Sequence, residues 1–383
     1  MKLLITNGTV LREGNLVPAD ILCEDGKILG IGAGLAQHCS WDETFDAQGL
    51  VVLPGFVDGH IHGAAGGDAA DLEGIRAMSA MLASHGVTAF LPTLASETPE
   101  DTRAGLQAIA QSMQEKLPGA RVLGAHMEGP FLAANCKGAM DERNFLLPTV
   151  ENFEKLTGEW APVVRRMTLD PAQPGAIDFI RWLTARGISV SIGHSEASAA
   201  TVTAALAAGA CSVTHLFNAM PSLHHRNPGV IGAALSDPRA TVELIADYVH
   251  VDPVALKVAL AAKGADGVML VSDALQAAGM PDGDYQLGEV KVYVRDGVAR
   301  IAAGNLAGST LLLDRALRNV AALGHSLPAA AHMAATSPAR VCGAADRGRI
   351  ALGLAADFAL LDADLTVAAT VVGGSIVYSA GNS

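Results

Sequence analysis

Cysteine pairs are missing from this sequence. Its five cysteines (Cys23, Cys39, Cys136, Cys211 and Cys342) are odd in number, widely spaced and never arranged as C-x-x-C. That pattern excludes a disulfide framework and a structural zinc finger, and it fits a reducing, cytoplasmic setting. Runs of Lys or Arg are missing too. With a formal net charge of −13 the chain offers no basic surface to nucleic acid or an anionic membrane, so any anionic ligand must be caught locally. No apolar stretch reaches membrane-spanning length, and the N-terminal "MKLLITNGTV" turns polar at Thr6, too early for a signal peptide. Charged residues amount to only 17% while half of the 383 residues are hydrophobic, with Ala and Gly abundant; this selects a tightly packed α/β protein with many short turns.

The ends of the chain read alike. Residues 1–52 are short strand-like runs, with Asn7-Gly8 and Asp25-Gly26 as hairpin signals, and residues 346–383 have the same texture, broken by Asp-Ala-Asp and Gly-Gly. The two segments are expected to pair into one small β-sandwich domain. Between them, residues 53–345 alternate apolar strands with Ala-rich helical stretches such as Thr201 to Ala208 and Pro253 to Ala262. Eight strand candidates stand out: "LVVLPGFVDGHIH", "VTAFLPTLAS", "RVLGAHMEGP", "RRMTLDP", "SVSIGHS", "SVTHLFNAM", "TVELIADYVHV" and "GVMLVSDAL". Parallel βα units in that number predict an α/β fold of the (β/α)8, TIM-like barrel type, with its active site where the strands end.

Each of several strands ends in a residue that a core would not choose. His60 and His62 end the first; because side chains at i and i+2 share a side of a strand, both imidazoles aim at one point. Glu128 ends the third strand, His194 the fifth, His215 the sixth, His250 the seventh and Asp273 the eighth. Imidazoles and carboxylates gathered at one rim are costly to bury unpaired, and a divalent cation is their simplest common partner. Nitrogen and oxygen ligands suit Zn²⁺ first and Fe²⁺ second, whereas Mg²⁺ and Ca²⁺ want more oxygen. Since such a cation lowers the pKa of a water to roughly 7 in favourable cases, hydrolysis is the default chemistry.

The motifs "PGFVDGHIHG", "HMEGPF", "GHSEA", "THLFNAM", "HHRNPG", "ELIADYVHV", "VSDALQAAGMPDGDYQLG" and "NLAGST" occur in this order along nearly the whole chain. Together they resemble the N-acetylhexosamine-6-phosphate deacetylases of the amidohydrolase superfamily, whose N-acetylglucosamine-6-phosphate deacetylase branch is the best known. The resemblance implies that Glu128, His194 and His215 are the principal metal ligands, that Asp273 is the catalytic carboxylate and a ligand, and that His60 and His62 form a second metal position, giving one or two ions per subunit. It further implies that Ala139, Asn218, Ala219, His250 and the Leu306-Ala307-Gly308 turn line a sugar pocket. Arg226 matches a phosphate-binding arginine that reaches in from the neighbouring subunit of a homodimer. The expected activity is removal of the acetyl group from an N-acetyl-amino-sugar 6-phosphate, N-acetylglucosamine 6-phosphate first.

Two departures accompany the resemblance. Met140, in "CKGAMD", stands where the family carries a histidine near the scissile acetamide. A thioether cannot polarise a carbonyl, so either a second cation takes that role or the substrate differs. "LDPAQ" replaces the family's usual Leu-Ala-Pro-Glu after the fourth strand, and "RRMTLDP" holds no lysine that could be carboxylated to bridge two metals. The rival readings are a deacetylase of N-acetylgalactosamine 6-phosphate or another N-acetylated sugar, and a barrel without catalysis that senses amino sugars.

Overall fold

The structure, a computed structural model, describes residues 1–288 and 290–381. Eight strands make the barrel: Phe56–Ile61, Val87–Leu94, Ala125–Glu128, Val164–Leu169, Ser189–Ile192, Ser212–Val213, Thr241–Leu244 and Val268–Leu270. Each is parallel to the next. The ring closes just beyond the eighth strand. There Ala274 bridges Ile61 on one side and Ser309 on the other, the Asp273 N–H donates to His60 O (2.9 Å) and the Ser309 N–H donates to Asp273 O (2.7 Å).

The helices between strands follow local signals. Ser198 caps Ala199–Ala208 by accepting from the Thr201 N–H, and Asp252 caps Pro253–Lys263, whose first residue is a proline with no N–H to leave unpaired. Residues at alternate strand positions, such as Met167, Leu169, Val190 and Ile192, join these helices in one apolar core. The inward positions differ from the branched apolar filling usual for such barrels. His126, Arg166, Thr168, Ser191, Thr214 and Glu243 are all fully buried, and hydrogen bonds link His126 to Thr168, Thr168 to Thr214 and Thr214 to Ser191.

Both chain ends contribute to one mixed sheet with a core of its own, joined where Phe358–Leu361 pairs antiparallel with Val51–Pro54. Four details differ from the sequence reading. The first candidate strand is two: Val51–Pro54 belongs to the mixed sheet and Phe56–Ile61 to the barrel, separated at Gly55, where a Cβ would overlap the Thr88 side chain. The third is interrupted between Arg121–Val122 and Ala125–Glu128 at Gly124, whose φ of 140° only glycine adopts freely. The seventh ends at Leu244, so His250 lies in the loop that follows. Asn7-Gly8 is no hairpin but a bulge within the Lys2–Arg12 strand; the hairpin is Glu13-Gly14, where both residues have positive φ. Asp25-Gly26 does turn the chain between paired strands, as expected. A further three-stranded sheet after the barrel (Gly283–Leu287, Val290–Arg295, Val298–Ile301) had no counterpart in the sequence reading. Among the described residues no helix is long and apolar enough to cross a membrane.

Gly8 explains its own bulge. A Cβ there would lie 2.8 Å from Val52 Cγ2 and 3.3 Å from Ala47 Cβ, both buried. Gly8→Ala should therefore destabilise the fold by about 1–3 kcal/mol, the usual scale of overpacking. Chemical denaturation measures this, and a loss below about 0.5 kcal/mol would mean that Val52 yields without strain.

Candidate metal centre and substrate cavity

The strand-end residues converge. Two groups of three side chains have ligating atoms within 4.8 Å of one another: His60, His62 and Asp273, and Glu128, His194 and His215. Strand alternation brings His60 Nε2 and His62 Nε2 to 3.3 Å. His194 (φ 48°), His215 (φ 29°) and Asp273 (φ 48°) all sit just past their strands in the left-handed region, which turns each side chain inward. Glu128 lies between the groups. Its Oε1 is 3.3 Å from His194 Nε2, 3.1 Å from His215 Nε2 and 3.3 Å from His60 Nε2, while its Oε2 is 3.0 Å from His62 Nε2.

Hydrogen bonds fix which nitrogens can ligate. His60 Nδ1 donates to Glu243 Oε2 (3.0 Å), His62 Nδ1 to Thr93 O (3.1 Å) and His194 Nδ1 to Cys136 O (2.8 Å); these partners can only accept. In the neutral rings of these three, Nε2 then carries a lone pair, while His215 Nδ1 is buried without a partner and its Nε2 alone reaches the other groups. The Nε2 atoms crowd one another, at 3.3 Å between His60 and His62 and 3.0 Å between His194 and His215, and face the two carboxylates. Such a donor set repels itself unless protons or a cation fill it, so the residues fit a bound metal ion. The proton affinities agree. Burial alone would lower the imidazole pKa values, but Glu128 and Asp273 outweigh it and hold His60 well above its ordinary value and His62 at about 9. Burial would raise the two carboxyls, yet the imidazoles hold both below their usual range.

Three polar groups that support this cluster escaped the sequence reading. Glu243 and Arg166 form a fully buried ion pair beneath it. His126 is kept neutral by burial and by the charges of Arg166 and His60. A signal for two of them existed: alternation in "RRMTL" and "TVEL" points Arg166 and Glu243 into the barrel.

Above the cluster opens a cavity of about 720 Å³ whose floor holds Glu128, His194, His215 and Asp273. Ala139, Asn218, Ala219, His250, Leu306, Ala307 and Gly308 all line it, as do Phe217, Asn135 and Leu287, which the sequence reading did not single out. His250 Nδ1 is bound to Asp247 Oδ2 at 2.7 Å. Met140 is buried in the wall, its sulfur accepting from the Ser96 N–H (3.3 Å), so no donor stands in its place. Arg226 does not line this cavity. It lies in the exposed stretch 221–227, its Nη1 donating to His225 Nε2 at 2.8 Å.

Metal loading should be proton-coupled. The metal-free site holds its imidazole protons near neutrality because the His62 pKa lies at about 9, above the ordinary 6.5. An incoming cation must displace them, so affinity should rise with pH through this interval and fall in acid. Calorimetric titration of Zn²⁺ in buffers of different ionisation enthalpy, at about pH 7.5, measures the protons released; release of none would contradict this account.

Comparison with known proteins agrees with the geometry. Residues 51–377 match the model of the Amidohydrolase family. An N-acetylglucosamine-6-phosphate deacetylase of Vibrio furnissii is 39% identical over 87% of this chain and 84% of its own. An N-acetylgalactosamine-6-phosphate deacetylase of Escherichia coli O157:H7 is 40% identical over 76% of this chain and 78% of its own. Among solved structures, a mutant of the Mycobacterium smegmatis N-acetyl-D-glucosamine-6-phosphate deacetylase, in complex with N-acetyl-D-glucosamine-6-phosphate, superposes with a TM-score of 0.88 at 33% identity, covering 99% of each chain. The chain belongs to the amidohydrolase family, and within it is related to the deacetylases of N-acetylglucosamine and N-acetylgalactosamine 6-phosphates.

Proposed function

We propose that this chain is a metal-dependent deacetylase that hydrolyses the acetamide of N-acetylglucosamine 6-phosphate to acetate and the amino-sugar phosphate. The observation that carries the reading is Asp273: a carboxylate on the floor of a sugar-sized cavity, ionised by its surroundings and in contact with both His60 and His62 at 3.4 Å. Glu128, His194 and His215 would hold one ion, and His60, His62 and Asp273 a second, Zn²⁺ or Fe²⁺ being the metals these donors suit. When bound, such an ion supplies Lewis-acid polarisation of the amide carbonyl and makes an attacking water more acidic.

The chain's own residues do the rest. Asp273 takes a proton from the attacking water on a carboxylate oxygen, then delivers it to the amide nitrogen as the C–N bond breaks, so the amine departs neutral. Asn218, His250 held by Asp247, and the Leu306–Gly308 turn orient the sugar so that its acetamide faces Asp273. Among the described residues lining the cavity there is no lysine or arginine, although a phosphate needs a cation. This supports a homodimer in which Arg226 of a second copy completes the site. All five cysteines are free, which suits a cytoplasmic enzyme. The second reading, N-acetylgalactosamine 6-phosphate as substrate, draws on Met140, which leaves no donor at that point of the cavity wall, and on a relative of that name as similar (40% identical) as the N-acetylglucosamine-6-phosphate one (39%).

Acetate release from both N-acetylhexosamines and their 6-phosphates tests the proposal; release from none would refute it. Asp273→Asn keeps the shape but cannot accept a proton, and kcat should fall by about 10²-fold or more. A loss below about threefold would move the proton shuttle elsewhere. Arg226→Ala should raise KM for a 6-phosphate far more than for its unphosphorylated counterpart, since a charge-assisted hydrogen bond contributes about 1.5–3 kcal/mol. Equal effects on both substrates would make Arg226 structural.

A further inference from the structure

Beneath the ligand cluster the barrel encloses a guanidinium. Arg166 of the fourth strand is fully buried and ion-paired with the equally buried Glu243 of the seventh. Its Nη1 donates to Gly59 O (3.2 Å) and its Nη2 to Ser191 Oγ and Ser212 Oγ (3.1 Å each). The arginine is therefore held from four strands. Glu243 turns its other oxygen, Oε2, upward, where it accepts from His60 Nδ1 (3.0 Å) and from the backbone N–H of His215 (2.9 Å). His60 belongs to one group of candidate ligands and His215 to the other.

We propose that Glu243, anchored by Arg166, is the positioning residue that sets both halves of the metal centre at once. Through His60 Nδ1–H it fixes that ring's tautomer and rotation, so that the Nε2 lone pair faces Asp273 and Glu128. Through the His215 N–H it secures the left-handed turn from which the other imidazole projects. A single hydrogen bond is enough to orient a ring that is otherwise free to turn about its side-chain bonds. His62 and His194 are oriented by backbone carbonyls, whereas His60 has a charged acceptor, which makes it the more basic ligand. Arg166 makes this arrangement affordable: its positive charge offsets Glu243 and leaves Glu128 and Asp273 as the negative charges that a cation would balance.

The inference rests on reading the cluster as a cation centre and on nothing about the sugar. Its test is Zn²⁺ alone, titrated into metal-stripped full-length protein against a chelating dye, with the bound metal counted. Glu243→Met, which removes the acceptor that a glutamine amide oxygen would keep, should weaken at least one ion about 10–100-fold, the scale on which partners of ligating histidines act. The paired variant Arg166→Met/Glu243→Met leaves no guanidinium stranded; it should unfold near the wild-type temperature and show the same loss. Wild-type affinity in either folded variant would overturn the proposal. If neither folds, nitrogen-15 spectra of histidine-labelled, zinc-loaded wild type decide: Nδ1-protonated His60 is expected, and Nε2-protonated His60 would overturn it. A wild-type protein that takes up no Zn²⁺ would instead remove the cation-centre reading itself, so the two failures are distinguishable.

Discussion

Four imidazoles and two carboxylates are buried at the mouth of the barrel, in two groups of three whose ligating atoms lie within 4.8 Å of one another, and this crowding is the condition to which the surrounding structure responds. A buried charge left unpaired costs several kcal/mol, a large share of the roughly 5–15 kcal/mol by which a domain is stable. Balance must therefore be found within the site. Below, Arg166 neutralises Glu243; on either side, the Thr93 and Cys136 carbonyls and the Glu243 carboxylate consume the outer N–H groups of three rings. What remains is a set of lone pairs and negative charge directed at one small volume. Hydrolytic chemistry follows from that imbalance rather than from the barrel as such.

Holding such a set requires a rigid frame. Three of the candidate ligand residues adopt left-handed backbone conformations, each costing on the order of 1–3 kcal/mol outside glycine. The strands they follow are short, and their outward residues are clamped by apolar packing against the helices, which opposes relaxation. The inward polar ladder from His126 through Thr168 and Thr214 to Ser191 adds directional bonds where most barrels have only packing. Stability supplied by the outer layer is thus spent on strain at the inner rim.

Much of this was legible in the sequence, and the reasons differ by residue. His-x-His shows itself because strand alternation is local: two residues apart means one side, whatever the tertiary structure. Strand ends carrying Glu128, His194, His215 and Asp273 are visible because apolar runs stop there. Arg166 and Glu243 were harder to see. Their pairing depends on two strands far apart in sequence facing each other across the barrel, which periodicity cannot report. The break at Gly55 was hidden for another reason: "LVVLPGFVDGHIH" is apolar throughout, and only the side chain of Thr88, from another strand, forces a glycine there. Asn7-Gly8 misled because a positive φ is equally the signature of a hairpin turn and of a bulge, and cross-strand register alone separates them.

The seam that closes the barrel has a consequence in time. Asp273 joins the first strand through His60 O and is itself clasped by Ser309, so the segment carrying this carboxylate is also the one that completes the ring. During synthesis, Glu128, His194 and His215 emerge well before that point and can come together as neighbours in a partial barrel. His60 and His62 are made earlier still, yet they gain their third companion only when a contact spanning more than half the chain is formed. Contacts of such sequence separation form late, because loop closure precedes any gain from them. Loop-closure entropy thus favours an order in which the second half of the centre becomes whole only as the ring shuts.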